Sequence, residues 1–320
     1  MNLLRIGLRA LAALALLVVG LPSAYAACSS SPGTGSFGTL SSFVAGSTAQ
    51  QVTATSGFKC SGSLLSLLGT NTVTATIATS ANGVGTQAAM LGPNGVKLPY
   101  QICQDNGCGT VVNLGNSTTW TSTTLLGLLG LFNASDGSLP LYLRTVTGVN
   151  LPAGSYSDTL GINWTYHICF VGLLGLCVYT DGADSTTVTV NMTVTNFCYI
   201  DNAPNVNFGS AAFPAGFASV TNNSLSIRCT LNAAYSVNLT STVPGSGQYR
   251  QMSSTNNGVT SYLQYQIFKG DASVWTAATN TAMTGTGASQ NVAYSATVNP
   301  SQANPPPGTY SDTVLVTVTY

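Results

Sequence analysis

Apolar and polar residues alternate with a period of two over much of the chain. Val188, Val190, Met192 and Val194 fall on one face of such a segment and their polar neighbours on the other. Leu225, Ile227 and Cys229 behave in the same way, as do Val314, Val316, Val318 and Tyr320. Alternation of this kind marks a strand with one buried face. Many short segments of this type, separated by Gly-, Asn- and Ser-rich turns, predict an all-β chain built of immunoglobulin-like β-sandwich domains. Between Cys103 and Cys108 the spacing is that of a tight hairpin, with Asn106 and Gly107 as turn residues and its own disulfide as a staple.

The pattern occurs twice. Cys28 is followed by Phe37-Gly38, Phe43 and Cys60; Cys198 is followed by Phe208-Gly209, Phe213 and Cys229. Near the end of each copy stands Gly154-Ser155-Tyr156-Ser157-Asp158-Thr159 or its counterpart Gly308-Thr309-Tyr310-Ser311-Asp312-Thr313. Each copy opens on a Cys-bearing strand, pairs it with a second one and closes on a Tyr-bearing strand. That symmetry assigns Cys28 to Cys60 and Cys198 to Cys229, and makes Asp158 and Asp312 structural turn or capping residues. The chain divides into a leader over 1–26, a first domain over 27–195 and a second over 196–320.

The copies differ at their ends. The first runs on past its Tyr-bearing strand, through a loop, into the alternating strand Thr187 to Thr195; the second has no such strand after Tyr320. The second domain is therefore expected to lack its final strand, leaving Val314, Val316, Val318 and Tyr320 as an open edge with apolar core and unpaired backbone groups beside it. Strand donation by another polypeptide is the physical remedy. Cys28 lies so close to the expected start of the mature chain that no extension remains to donate in turn. Such a subunit accepts a strand without giving one, which places it at the end of a linear polymer.

Composition narrows the possibilities. Arg5 and Arg9, the apolar run Leu11 to Leu21 and Ala24-Tyr25-Ala26 form a secretory leader with cleavage before Ala27, and the run is too short to span a bilayer as a helix. Charged residues are only 5% of the chain, and all eight acidic residues are Asp. Near-neutral charge offers no footprint for nucleic acid or an anionic membrane. Eight Cys in an exported chain read as disulfides: 28, 60, 103, 108, 169, 177, 198 and 229. With one His and no Cys-x-x-Cys pair, neither a metal site nor a cofactor is expected. His167 reads as a residue at the end of a strand finishing in Trp164 and Tyr166, and no paired carboxylates, nucleophile motif or phosphate loop suggest catalysis.

The two openings, the two Gly-[Ser/Thr]-Tyr-Ser-Asp-Thr closings and the Val-x-Val-x-Val-x-Tyr pattern from Val314 to Tyr320 resemble the spore coat U domain family of pilins from archaic chaperone–usher pili. The two-domain layout resembles the Csu-type tip adhesins among them. The resemblance implies a periplasmic chaperone, an outer-membrane usher, an adjacent pilin donating a strand to the second domain, passage through the periplasm to the pilus tip at the cell surface, and a role in attachment and biofilm formation.

Three Leu-rich runs in the first domain have no counterpart in the second: Leu64, Leu65, Leu67 and Leu68; Leu125, Leu126, Leu128, Leu129, Leu131 and Phe132; and Phe170, Val171, Leu173, Leu174 and Leu176 between Cys169 and Cys177. Core packing is the ordinary fate of such runs, and the second run also reads as a short amphipathic helix. Interspersed Gly, flanking turn residues and the enclosing Cys pair favour exposed fingers, with the family resemblance adding to that. By strand order the first and third runs lie at one end of the sandwich, away from the second domain. Apolar surfaces are then the expected target. A glycan-binding reading would place sugars on Trp120, Trp164 and nearby Tyr residues, and a purely structural subunit is a third reading.

Overall fold

The computed structural model describes residues 28–60, 70–122, 131–173 and 176–320, with Ser122 and residues 170–173 and 176 described by backbone alone. Strands dominate, and they fall into two units. The first contains β1 (Cys28–Ser30), β2 (Gly33–Ser41), β3 (Gln51–Thr55), β4 (Phe58–Cys60), β5 (Asn71–Ser80) and β6 (Ala88–Leu91). It continues with β7 (Lys97–Cys103), β8 (Val111–Val112), β9 (Ser117–Ser122), β10 (Pro140–Thr145), β11 (Gly154–Leu173) and β12 (Leu176–Thr195). A short helix, α1 (Ser42–Ser47), follows β2 with the Ser41 hydroxyl capping its N-terminus. The second unit contains β13 (Cys198–Asn202), β14 (Val220–Cys229), β15 (Ala234–Ser241) and β16 (Arg250–Asn256). It ends with β17 (Val259–Lys269), β18 (Thr281–Thr284), β19 (Ser289–Val298) and β20 (Val314–Thr319).

In the first unit the strands run β9–β5–β11–β12–β2 on one side and β6–β7–β10–β3 on the other, closing over one core. Alternation decides which residues enter it. Tyr156, Leu160, Ile162 and Trp164 of β11 are buried, as are Val188, Val190, Met192 and Val194 of β12. β12 is antiparallel to β11 and parallel to β2, so it is bonded on both edges. In the second unit the sheets are β13–β14–β19–β17–β16 and β18–β15–β20, packed around a separate core. This is an all-β architecture of two pilin-type sandwiches, the second short of one strand.

The repeated hexapeptide has a physical reason in both units. The Tyr156 hydroxyl donates to the Pro152 carbonyl at 2.8 Å, and the Tyr310 hydroxyl to the Pro306 carbonyl at 2.6 Å. Two residues on, Asp158 accepts from the Tyr100 hydroxyl at 2.8 Å, the Ser80 hydroxyl at 2.6 Å and the Asn82 amide at 3.1 Å. Asp312 accepts from the Tyr265 hydroxyl at 2.6 Å and the Val243 amide at 3.3 Å. Burial, reinforced by the facing carboxylate, holds the Tyr100 and Tyr265 phenols far above their ordinary pKa, so each remains a donor. Burial alone pushes Tyr156 up to about 12.

The units meet through few but specific contacts. The Ser42 and Thr230 hydroxyls are 2.6 Å apart in a buried hydrogen bond. The Phe43 ring packs edge-on against Tyr199 at 5.2 Å, and the Arg228 guanidinium lies over both rings at 5.1 and 4.9 Å. The Asn150 side-chain amide donates to the Thr286 carbonyl at 2.9 Å.

Asp158→Ala strands the buried Tyr100 hydroxyl and should lower the unfolding free energy by about 2–4 kcal/mol in a denaturant titration. The raised phenols give a second expectation. Their folded pKa values exceed the unfolded value near 10, so their stabilisation is complete below that pH and lost as pH rises past it. The Tm should be insensitive to pH just below 10 and fall above it, as read by calorimetry.

Candidate surface-binding end and strand-acceptor groove

At the end of the first unit remote from the second, the flanks of the three apolar runs converge. Phe58, two residues before Cys60, stacks on Trp164 at 4.7 Å, and Phe132 tilts against the same Phe58 ring at 6.1 Å. Asn71, buried at the start of β5, pairs across to Ser122 and accepts from the Cys169 amide at 2.7 Å. The Tyr179 hydroxyl accepts from the Thr70 amide at 3.2 Å, and its ring stacks on His167 at 4.0 Å. The point where the first run returns, the point where the second departs and the root of the third are thus fastened to one another.

Leu64, Leu65, Leu67, Leu68, Leu125, Leu126, Leu128, Leu129 and Leu174 lie outside the described residues. Phe170, Val171, Leu173 and Leu176 lie on the hairpin formed by β11 and β12. That hairpin extends beyond the last β5 pair, His167–Thr72, with Val171 opposite Val178, Gly172 opposite Cys177 and Leu173 opposite Leu176. The third run is therefore carried by paired strands, whereas the sequence suggested a loop. Val178 on this hairpin is 63% exposed. Leu131 and Phe132 differ from expectation in another way. They are partly buried against the core and act as roots of the second run, because Phe58 offers Phe132 an aromatic face.

His167 is also not a strand-end residue. It sits inside β11 opposite Asp181, with Nδ1 2.6 Å from the Asp181 carboxylate. Both side chains are substantially exposed, so the pair contributes under about 1 kcal/mol. Trp164 is fully buried and offers no face for stacking a sugar, while Trp120 is partly buried against the core. Sequence reasoning passed over Asn71 and Tyr179, whose partners are remote along the chain. It also passed over Arg250, buried opposite Tyr265 where the first unit has Ala88 opposite Tyr100. The Arg250 guanidinium donates to the Ser241 hydroxyl and to the Leu239 and Trp275 carbonyls, and burial lowers its pKa.

The second unit carries a groove where the first carries β12. By the hexapeptide alignment, Val314 and Val316 of β20 match Leu160 and Ile162 of β11. The β11 residues are fully buried between β5 and β12, whereas Val314, Val316 and Val318 remain partly exposed and no described strand pairs with the outer edge of β20. The segment after β13, which matches β2, is not a strand. A cavity of about 320 Å³ opens between the two, lined by Val206, Phe208, Tyr265, Tyr310, Val314 and Val316. Tyr310 likewise precedes β20 instead of lying within it as Tyr156 does in β11, where Met192 of β12 pairs with it. Tyr320, at the end of this edge, faces Phe197 at 6.2 Å.

Disulfides join Cys28 to Cys60, Cys103 to Cys108, Cys169 to Cys177 and Cys198 to Cys229. Two of them tie the first and second Cys-bearing strands of each unit, one closes the β7–β8 hairpin and one spans the β11–β12 hairpin. No cluster of metal-ligating side chains occurs among the described residues.

The family model for the spore coat protein U domain matches residues 13–163 and 184–317. The chain is similar to the tip adhesion subunit in the Csu chaperone–tip adhesion subunit pre-assembly complex of Acinetobacter baumannii. Identity there is 27% over 92% of this chain and 100% of that one, with a TM-score of 0.60. The CupB6 tip adhesin of Pseudomonas aeruginosa aligns at 16% identity over 92% and 94% of the two chains, TM-score 0.35. CfaE, the adhesive subunit of CFA/I fimbria of enterotoxigenic Escherichia coli, aligns at 10% over 90% and 92%, TM-score 0.35. The last two are too distant to carry an argument. No curated protein matches by sequence.

Proposed function

The chain belongs to the spore coat protein U domain family, and from that premise we propose that it is the tip adhesin of a chaperone–usher pilus, a non-enzymatic subunit that binds apolar surfaces. The residues over 1–26 serve as its secretory leader, 27–195 as the adhesive domain and 196–320 as the pilin domain that joins the fibre. Its partners are a periplasmic chaperone, an outer-membrane usher and an adjacent pilin whose strand fills the groove beside Val314, Val316 and Val318. The cell surface at the pilus tip is its destination, and attachment and biofilm formation are its consequences. The Acinetobacter complex, an adhesion subunit held by its chaperone before assembly, supports the chaperone as partner.

The observation that carries the reading is the contrast in sheet order. β12 closes the first unit on both edges, and the matching place beside β20 is a cavity. An apolar groove flanked by unpaired backbone is the natural acceptor for an extended segment, because backbone hydrogen bonds supply affinity and alternate side chains supply specificity. For adhesion, support comes from the fastening of the three apolar runs at one end, through Asn71, Tyr179 and Phe58. Full burial of a Leu side chain yields about 1.5–3 kcal/mol. Several partly buried Leu residues, held on a stapled hairpin that loses little freedom on contact, suffice for weak and unselective adhesion, which many pili per cell multiply.

Two measurements check this. Replacing Leu64, Leu67, Leu125, Leu128, Leu173 and Leu176 by Thr should abolish most retention of piliated cells on polystyrene while pilus number stays unchanged; undiminished retention, or competition by soluble sugars, would sink the finger reading. A peptide of residues 184–195 added to the full chain should raise the Tm of the second unit by several degrees, and a Val188→Asp, Val190→Asp peptide should not. An equal response to both peptides would remove strand acceptance.

A further inference from the structure

The contact between the two units has a second, uncovered copy in the same chain. On the first unit it is made by Phe43-Val44-Ala45-Gly46 of α1, with Asn150 four residues ahead of Gly154. The second unit repeats both pieces: Phe213-Pro214-Ala215-Gly216, and Asn304 four residues ahead of Gly308. The local structure repeats too. Residues Pro214–Gly216 form a single helical turn in the place of α1. A cavity of about 260 Å³ lies between that turn and the loop 304–308, lined by Phe213, Pro214, Phe217, Asn304, Pro306 and Tyr310.

What differs is the cover. Phe43 is partly buried by Tyr199 and Arg228 of the second unit, whereas Phe213 is 55% exposed. Ser42 is buried in its bond to Thr230, and its counterpart Ala212 is exposed with no hydroxyl to offer. Resting on the serial assembly proposed above, we infer that the Phe213–Asn304 face of the second unit docks the leading end of the next subunit as Phe43 and Asn150 dock the leading end of this one.

The surface seated on Phe43 defines the partner's chemistry. Tyr199 directly follows the first Cys of its unit, and Arg228 directly precedes the second, paired across β13 and β14. The partner is therefore a domain with an aromatic residue immediately after its first Cys, an arginine immediately before its second and short loops at that end. A second copy of this chain does not fit. Its first unit has Ser29 and Lys59 at those places, and the Leu-rich run begins just past Cys60. Head-to-tail contact between unlike faces is the kind of interface that extends a fibre. The docking face also adjoins the groove, since Tyr310 lines both cavities, so one incoming subunit can fill the groove and cover Phe213.

Amide exchange tests this on the full chain extended in two ways. In the reference, a Gly/Asn turn and residues 184–195 follow Tyr320, filling the groove alone. In the longer form the same turn is followed by residues 184–320, which add a Tyr199–Arg228 face. The amides of Gly216 and Phe217, which bond to the Phe213 and Pro214 carbonyls, should exchange about tenfold more slowly in the longer form. Tyr199→Ala in the appended copy, which leaves the Phe213–Gly216 turn itself unchanged, should restore the reference rate. Equal exchange in the two forms, or no response to that substitution, overturns the docking. The β20 amides report on the groove separately: if they gain no protection in the reference over the unextended chain, strand acceptance fails, and the Gly216 and Phe217 amides still decide the docking.

Discussion

A strand that is apolar on one face and unpaired on one edge is an unfinished structure, and β20 is such a strand. Its Val314, Val316 and Val318 point into the core of the second unit while its outer backbone has no ladder partner among the described strands. Water can satisfy the backbone groups of such an edge but cannot satisfy the apolar face. The first unit shows the same problem solved. β12 bonds to β11 on one side and β2 on the other and places four aliphatic side chains in the core. It then runs through Asn196 and Phe197 straight into Cys198. The strand that completes one domain is thus the lead-in to the next, within a single chain.

The clasp around Asp312 explains how the groove keeps its shape while open. Asp312 ties the start of β20 to Tyr265 on β17 and to the backbone at Val243. Arg250 fastens the neighbouring β15 through the Leu239 carbonyl and the Ser241 hydroxyl. These polar ties link β15, β17 and β20 without the aliphatic side chains that β12 adds to the core of the first unit. The first unit does with a buried Ala88 what the second does with Arg250, in keeping with a core that is already full.

Strands, the duplication and the open edge were legible in the sequence because each rests on local spacing: the period-two runs, the paired Cys and the hexapeptide. The outer half of the β11–β12 hairpin was not. Asp181-Gly182 falls in the stretch expected to be a loop, yet it lies within β12 opposite Tyr166 and His167. Gly182 is there because the Tyr166 ring crosses it, and a Cβ would approach the phenol oxygen to 2.3 Å. A glycine under an aromatic ring looks the same along the chain as a glycine in a turn. The contacts of Asn71 with Cys169, Tyr179 with Thr70 and Phe43 with Tyr199 were hidden for a different reason. Each joins residues about a hundred or more positions apart, and no periodicity encodes them.

The two ends of a unit are not equivalent, and the difference explains where long apolar loops can grow. The connection after the second Cys of the second unit, at Thr230, is short and lies in the joint, as does the loop at Thr286 between β18 and β19. The matching connections of the first unit, after Cys60 and between β9 and β10, are the ones that hold the first two Leu-rich runs. Lengthening them in the second unit would push the units apart, since the Ser42–Thr230 bond leaves no room for inserted residues. At the leading end of the first unit no other domain is seated among the described residues, so insertion there costs no contact between the two units. The same end of the same fold is thus a joint in one copy and a free surface in the other, and apolar elaboration is compatible only with the second.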